Sequence, residues 1–159
     1  MNDLSYTAKV FKTVWVSDVH LGTKGSRAKE FLEFLKTIEC EKIFLVGDIV
    51  DGWQLSKRWY WPQTHNDVVQ KILEKAKRGT EIIFIPGNHD EVARDFIGLT
   101  MGGIKVKDDD IHYTADGKKF WVVHGDLFDN VIQHARWLAY IGDWAYVFLL
   151  KTNTVFNAI

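Results

Sequence analysis

Four short segments of this chain concentrate side chains that ligate metals and move protons: Asp18-Val19-His20, Gly47-Asp48, Gly87-Asn88-His89-Asp90 and His124-Gly125-Asp126. Asp and His supply oxygen and imidazole ligands, and Asn adds a neutral carbonyl oxygen. The single cysteine, Cys40, lies outside all four segments, which argues against a thiolate zinc site or an iron–sulfur site. Mixed O/N ligation suits Mn²⁺, Fe or Zn²⁺. Asp18 and His20, two apart on an extended segment, can face one ion where the chain turns. Asp48 can bridge two ions, and Asn88 and His124 can hold the second. Two ions about 3.5–4 Å apart polarise a phosphoryl group and activate a water. Two Asp against two divalent ions leave a net positive site that attracts a phosphate ester. His89 is placed to protonate a leaving oxygen, a role worth about 10²–10⁴-fold in rate. Asp90 is expected to hold the orientation of that ring. Gly47 and Gly87 allow backbone and metal to approach closely. Asp51 is open between a supporting role at the site and an ordinary turn residue. His65, His112 and His134 have no such context and are assigned no role.

Each segment alone is weak, because an Asp behind a strand is most often a helix cap or turn residue. The weight comes from where all four stand, each just behind an apolar run. The runs at 14–16, 42–46 and 81–85 read as strands. Between the first two, Phe31, Phe34, Leu35 and Ile38 have helical spacing, with Ser26 as an N-cap. Between the next two, a helix is expected over 67–77 with Val69, Ile72, Leu73 and Ala76 inward, Asn66 capping it and Gly79 ending it. Further on, the runs flanking Ala115-Asp116-Gly117 predict a hairpin. Strand–helix–strand–helix–strand implies parallel strands with right-handed crossovers. Continuous apolar strands suit a sheet covered on both faces. The carboxyl ends of such strands share one edge, where ligands bind, so the polar segments converge there.

Bulk properties narrow the class. The 159 residues suffice for one domain with a core, and 47% hydrophobic with 26% charged residues fits a water-soluble globular fold. A net charge of −1 excludes a large basic surface for nonspecific nucleic-acid binding. One cysteine excludes an internal disulfide. The N-terminus lacks a signal-peptide layout, and the apolar stretch at 144–150 is too short to cross a bilayer. Aromatic residues gather at Trp53, Trp59, Tyr60 and Trp61, beside Lys57 and Arg58, and apolar residues gather over 131–150. These segments read either as core packing or as an apolar lid that receives acyl chains and rests at a membrane interface. On the second reading Trp53, Arg58, Trp59 and Trp61 are substrate-binding.

The motifs "DVH", "GDIVD", "GNHD" and "HGD" resemble, in order, the signatures of calcineurin-like metallophosphoesterases, over roughly residues 14–130. The resemblance implies an α/β/β/α sandwich with two divalent ions, Mn²⁺ favoured. Asp18, His20 and Asp48 would hold one ion, and Asp48, Asn88 and His124 the other, with His89 as the catalytic histidine. "SDVHLGTKG", "LVGDIVDGW", "RWYWPQTHNDVVQKIL" and "IPGNHDE" are similar to the UDP-2,3-diacylglucosamine diphosphatase branch. Enzymes of that branch cleave a nucleotide-sugar diphosphate in lipid A synthesis, giving UMP and a lipid sugar phosphate. Some members carry Arg at the position of His89, which points to a side branch. The family's Gly-His-x-His motif has no counterpart after His124. The expectation is therefore a fragment, with 1–130 as the N-terminal portion of the core and 131–159 opening a helical, apolar, lid-like insertion. The expected activity is metal-dependent hydrolysis of a phosphate ester or diphosphate on a lipid-linked nucleotide sugar. The expected place is the cytoplasm, peripheral at the inner membrane, with self-association through uncovered apolar surface and no nucleic-acid partner. The alternatives are a soluble nucleotide phosphodiesterase or phosphatase, or a non-catalytic scaffold of the same fold.

Overall fold

The computed structural model describes residues 8–128. One compact unit ends at His124 and a second begins at Gly125; the lid-like insertion expected over 131–159 lies outside the described residues. Within the first unit, strands β1 (Lys9–Val16), β2 (Ile38–Val46) and β3 (Glu81–Ile85) pair in parallel, Val14 opposite Ile43 and Ile43 opposite Ile82. The central strands β2 and β3 form where apolar, β-branched runs are buried on both faces, whereas the edge strand β1 buries only Val14 and leaves Phe11 and Trp15 exposed, so the expected cover on both faces does not reach it. Helices α1 (Ala28–Thr37) and α3 (Gln63–Lys77) make the crossovers, and a short α2 (Gly52–Lys57) precedes α3. A short 3-10 helix, Glu91–Phe96, leads from β3 to β4 (Thr100–Met101) and β5 (Ile104–Val106). The sheet order is β1-β2-β3-β5-β4, with β5 parallel to β3 and β4 antiparallel at the edge. Strands β6 (Asp110–Tyr113) and β7 (Lys119–Val122) form the separate hairpin expected around Ala115-Asp116-Gly117. Gly117 takes a φ of 80°, which the turn requires and a side chain would resist.

The two faces of the large sheet bury different partners. One cluster joins Val14, Ile43, Leu45 and Ile82 to Leu32 and Leu35 of α1 and Val68 and Ile72 of α3. The other joins Phe44, Ile83 and Ile85 to Val122 of β7. Trp15 stacks on Phe44, ring centroids 5.9 Å apart, and His112 of β6 meets Trp15 edge-on at 4.9 Å. Helices on one face and the hairpin on the other give three layers among the described residues. Full burial of a Leu or Ile side chain is worth about 1.5–3 kcal/mol, so the helix-side cluster dominates this unit's stability.

The helix phases differ from those read in the sequence. In α1 the buried residues are Ala28, Leu32 and Leu35, while Phe34 is 39% exposed. Ile38 is not in that helix; it opens β2, which is longer than expected. Ser26 does not cap α1, since its hydroxyl donates to the Val19 carbonyl. In α3 the inward residues are His65, Val68, Ile72 and Lys75, and the helix starts after Pro62 rather than Asn66. Gly79 ends it as expected, with a φ of 102° and its amide bonded to the Ala76 carbonyl.

Candidate metal centre and its histidine neighbours

The chain leaves β1 and β2 through backbone that side chains seldom adopt. Asp18, His20 and Asp48 have φ values of 55°, 50° and 55°. Left-handed conformations at non-glycine residues cost about 1–3 kcal/mol each and persist only where the surroundings fix them. Here they are fixed by each other's backbone. The Asp18 amide donates to the Gly47 carbonyl, His20 to Asp48, and Leu21 to Ile49. The Asp51 amide donates back to the Leu21 carbonyl at 2.8 Å. Three of the residues singled out by type are thus those at which the fold stores strain.

The turns bring the donors together. Ligand atoms of Asp18, Asp48 and His124 lie within 4.8 Å of one another. His20 Nε2 is 4.0 Å from Asp48 Oδ2, while Asp48 Oδ1 accepts the His89 amide at 2.9 Å. Asn88 is half-buried on the same loop as His89. The glycines make the approach possible. A Cβ on Gly47 would sit 2.1 Å from the His124 ring, and one on Gly87 would sit 2.3 Å from Asp48 Oδ1. Oxygen and imidazole donors converging without thiolate, over glycines that clear the space, fit a hard or borderline divalent ion. His20 also belongs to a second set, with Asp51 and His89.

That second set is organised by Asp51. Its Oδ2 is 3.3 Å from His20 Nδ1 and 3.1 Å from His89 Nδ1. Its Oδ1 accepts the Gln54 amide at 2.8 Å, so the carboxylate is also the N-cap of α2. The cap fixes one oxygen and thereby aims the other at both imidazoles. Burial pushes the Asp51 carboxyl up, but the Gln54 amide, the close imidazole of His89, and the charges of His89 and His20 outweigh it. The group is left below its ordinary value. The His89 ring is held on two sides, edge-to-face with His20 at 4.8 Å and tilted against Trp53 at 4.3 Å. Both readings of Asp51, turn residue and support of the site, are therefore realised in one side chain. The signal was present as Asp51-Gly52-Trp53-Gln54, the spacing of a capping box.

Asp90 does something other than hold the His89 ring. Its carboxylate accepts four backbone amides: Gly87 at 2.6 Å, Ile49 at 2.8 Å, Asp48 at 3.2 Å and Val50 at 3.3 Å. It is 7% exposed and ties the loop after β3 to the loop after β2. The expected orienting role passes to Asp51 because a carboxylate surrounded by amide donors has no lone pair left for a distant imidazole.

The aromatic candidates divide. Trp59 is 74% exposed and Trp53 43% exposed. Trp61 instead packs against the helix-side core, and Arg58 is exposed at the end of α2. His65, which has no role assigned by its sequence context, is buried and accepts the Gly22 amide on Nδ1 at 3.1 Å. Among the described residues no helix is long and apolar enough to cross a membrane.

Comparison with known proteins places this arrangement. The family model for calcineurin-like phosphoesterases matches residues 11–153. A UDP-2,3-diacylglucosamine hydrolase of Blochmanniella pennsylvanica is 26% identical over 129 residues, covering 77% of this chain and 51% of its own length. One of Azotobacter vinelandii is 26% identical over 144 residues, covering 87% of this chain and 58% of its own. The chain thus spans about half the length of these curated relatives. The crystal structure of Pseudomonas putida nuclease MPE aligns over 61% of this chain and 48% of its own, with 22% identity and a TM-score of 0.38. With the match running through all four polar segments, the chain belongs to the calcineurin-like phosphoesterase family.

Proposed function

We propose that this chain carries the site of a metal-dependent hydrolase of phosphate ester or diphosphate bonds, acting on a lipid-linked nucleotide sugar such as UDP-2,3-diacylglucosamine. The observation that carries the reading is the position of Asp48. One of its oxygens faces His20, the other holds the His89 loop, and the side chain stands beside Asp18 and His124. Asp18, His20, Asp48, Asn88 and His124 would hold two divalent ions, Mn²⁺ by preference and Fe or Zn²⁺ by donor type. When bound, such ions neutralise phosphate charge and lower the pKa of a water at the site. With Asp51 at Nδ1, His89 presents its other nitrogen, Nε2, as the proton donor to the leaving oxygen. The Trp53 and His20 rings restrict its rotation, so the proton is delivered from one direction.

The substrate class rests on the names of the two relatives, on Trp53, which is exposed and packs on the His89 ring, and on the exposed Trp59 after α2; such aromatics suit acyl chains or a membrane interface. Exposed Phe11, Trp15, Ile111, Tyr113, Phe120 and Trp121 supply apolar surface for self-association. The proposed setting is the cytoplasmic side of the inner membrane, with no nucleic-acid partner. The test is UMP release by the full-length natural protein with Mn²⁺, from UDP-2,3-diacylglucosamine and from UDP-N-acetylglucosamine. Faster release from the acylated substrate is expected. Equal rates would make it a soluble nucleotide phosphodiesterase, and no hydrolysis of either, or of a simple phosphodiester, would leave a scaffold.

A further inference from the structure

We propose that His65 of α3 is a positioning residue for the Asp18–His20 arm of the site, acting through the backbone amide of Gly22. The inference rests on the reading of Asp18 and His20 as metal ligands. On the upstream side, this arm is tied to the strand end of β2 by amides of Asp18, His20 and Leu21. At its exit the chain turns through Gly22, whose φ is 107° and where a Cβ would come within 2.7 Å of the Leu55 side chain. The Gly22 amide is buried and donates to His65 Nδ1 at 3.1 Å. That bond spans 43 residues and joins the arm to a helix of the core.

The imidazole is built into its place. His65 is 3% exposed, and the rings of Trp61 and Tyr60 meet it edge-on at 5.4 and 5.9 Å. Accepting an amide fixes the neutral tautomer with Nδ1 bare, and burial holds the imidazole below its ordinary pKa, in keeping with that state. Leu21, the residue between His20 and Gly22, is fully buried. A shift at Gly22 therefore passes to His20 with little slack, across one side chain locked in the core.

Replacement separates the acceptor from the bulk. In His65→Asn the side-chain oxygen takes the place of Nδ1. In His65→Gln the oxygen takes the place of Nε2 instead, and His65→Leu has no acceptor. Two readouts on the full-length protein decide the matter. The first is hydrogen exchange of the Gly22 amide by NMR without metal. It should be protected in the native protein and in His65→Asn, and at least about tenfold faster in His65→Gln and His65→Leu. The second is Mn²⁺ titration followed by electron paramagnetic resonance. Affinity should fall about 10-fold or more in His65→Leu and be restored in His65→Asn, the scale typical of residues that orient ligands from behind. Unchanged Gly22 exchange in a folded His65→Leu or His65→Gln protein overturns the inference. So does Mn²⁺ affinity that is equal in the native and His65→Leu proteins. If His65→Leu fails to fold, the Asn and Gln pair decides alone. Native protein that binds no Mn²⁺ defeats the metal reading; a metal-bound native protein insensitive to His65 defeats only this one.

Discussion

Replacing Asp90 with Ala should be among the most destabilising single changes in the described residues. Its carboxylate takes four amide hydrogens, from Gly87, Ile49, Asp48 and Val50. The two short bonds, 2.6 and 2.8 Å, have charge-assisted geometry. Hydrogen bonds to a charged group contribute about 1.5–3 kcal/mol each, and a buried donor left unmade costs about 1–3 kcal/mol. The longer pair, 3.2 and 3.3 Å, adds little. The sum for Asp90→Ala is about 4 kcal/mol, a large share of the roughly 5–15 kcal/mol typical of a domain. Asp90→Asn should fall between, because its amide nitrogen would face two N–H donors across one edge. The assay is equilibrium urea denaturation, with His89→Ala as the contrast. His89→Ala should lower the turnover of a phosphodiester by about 10²–10⁴ while leaving the midpoint nearly unchanged. If Asp90→Ala costs under about 1 kcal/mol with an unchanged m-value, the amide cluster is not what holds these loops.

Three further outcomes are expected. Gly87→Ala should weaken Mn²⁺ binding at least about tenfold by calorimetry, because the new Cβ meets Asp48 Oδ1, whereas Gly25→Ala, with nothing within 4 Å, should leave it unchanged. Glu81, hydrogen-bonded to Lys105 and Lys42, is lowered from 4.5 to about 2. Its contribution is full above the unfolded value and is lost as pH falls through the folded one. Partial exposure screens it to about 1 kcal/mol, which Glu81→Gln should remove from the pH 2–4.5 stretch of a stability profile. His65, held low by burial, binds its proton more readily when unfolded. Stability should therefore decline as pH drops below about 6.5 toward the folded value, and His65→Asn should flatten that slope in pH-dependent thermal melts.

The strand ends were legible because a buried parallel strand must be apolar throughout, so the first polar residues after it mark the sheet edge. That places Asp48, Asn88 and His89 on neighbouring turns behind β2 and β3, and Asp18 beside them behind the short apolar end of the edge strand β1. The phase of α1 was not legible. Ile38 continues the helical spacing of Phe31 and Leu35, yet β2 begins there, and only pairing with Lys9 decides it. Strand β5 is three residues long, too short for a period to show. The exchange of roles between Asp90 and Asp51 was hidden for another reason. Both follow the same kind of motif, and which of them meets amides or imidazoles depends on how two loops 41 or 42 residues apart fold onto each other. His65 lies in an ordinary helical stretch, and nothing local distinguishes an acceptor for Gly22 from a core histidine.

The amides gathered by Asp90 have a consequence for how this site can change. Residues 48–50 and 87 converge on one carboxylate, and Gly52 adds a bond to the His89 carbonyl at 2.8 Å. The two loops therefore behave as a single mechanical part. Substitutions within them should combine non-additively, since the first to break the shared anchor leaves less for the second to lose. A loop grafted from a relative should keep its geometry only if both segments are exchanged together.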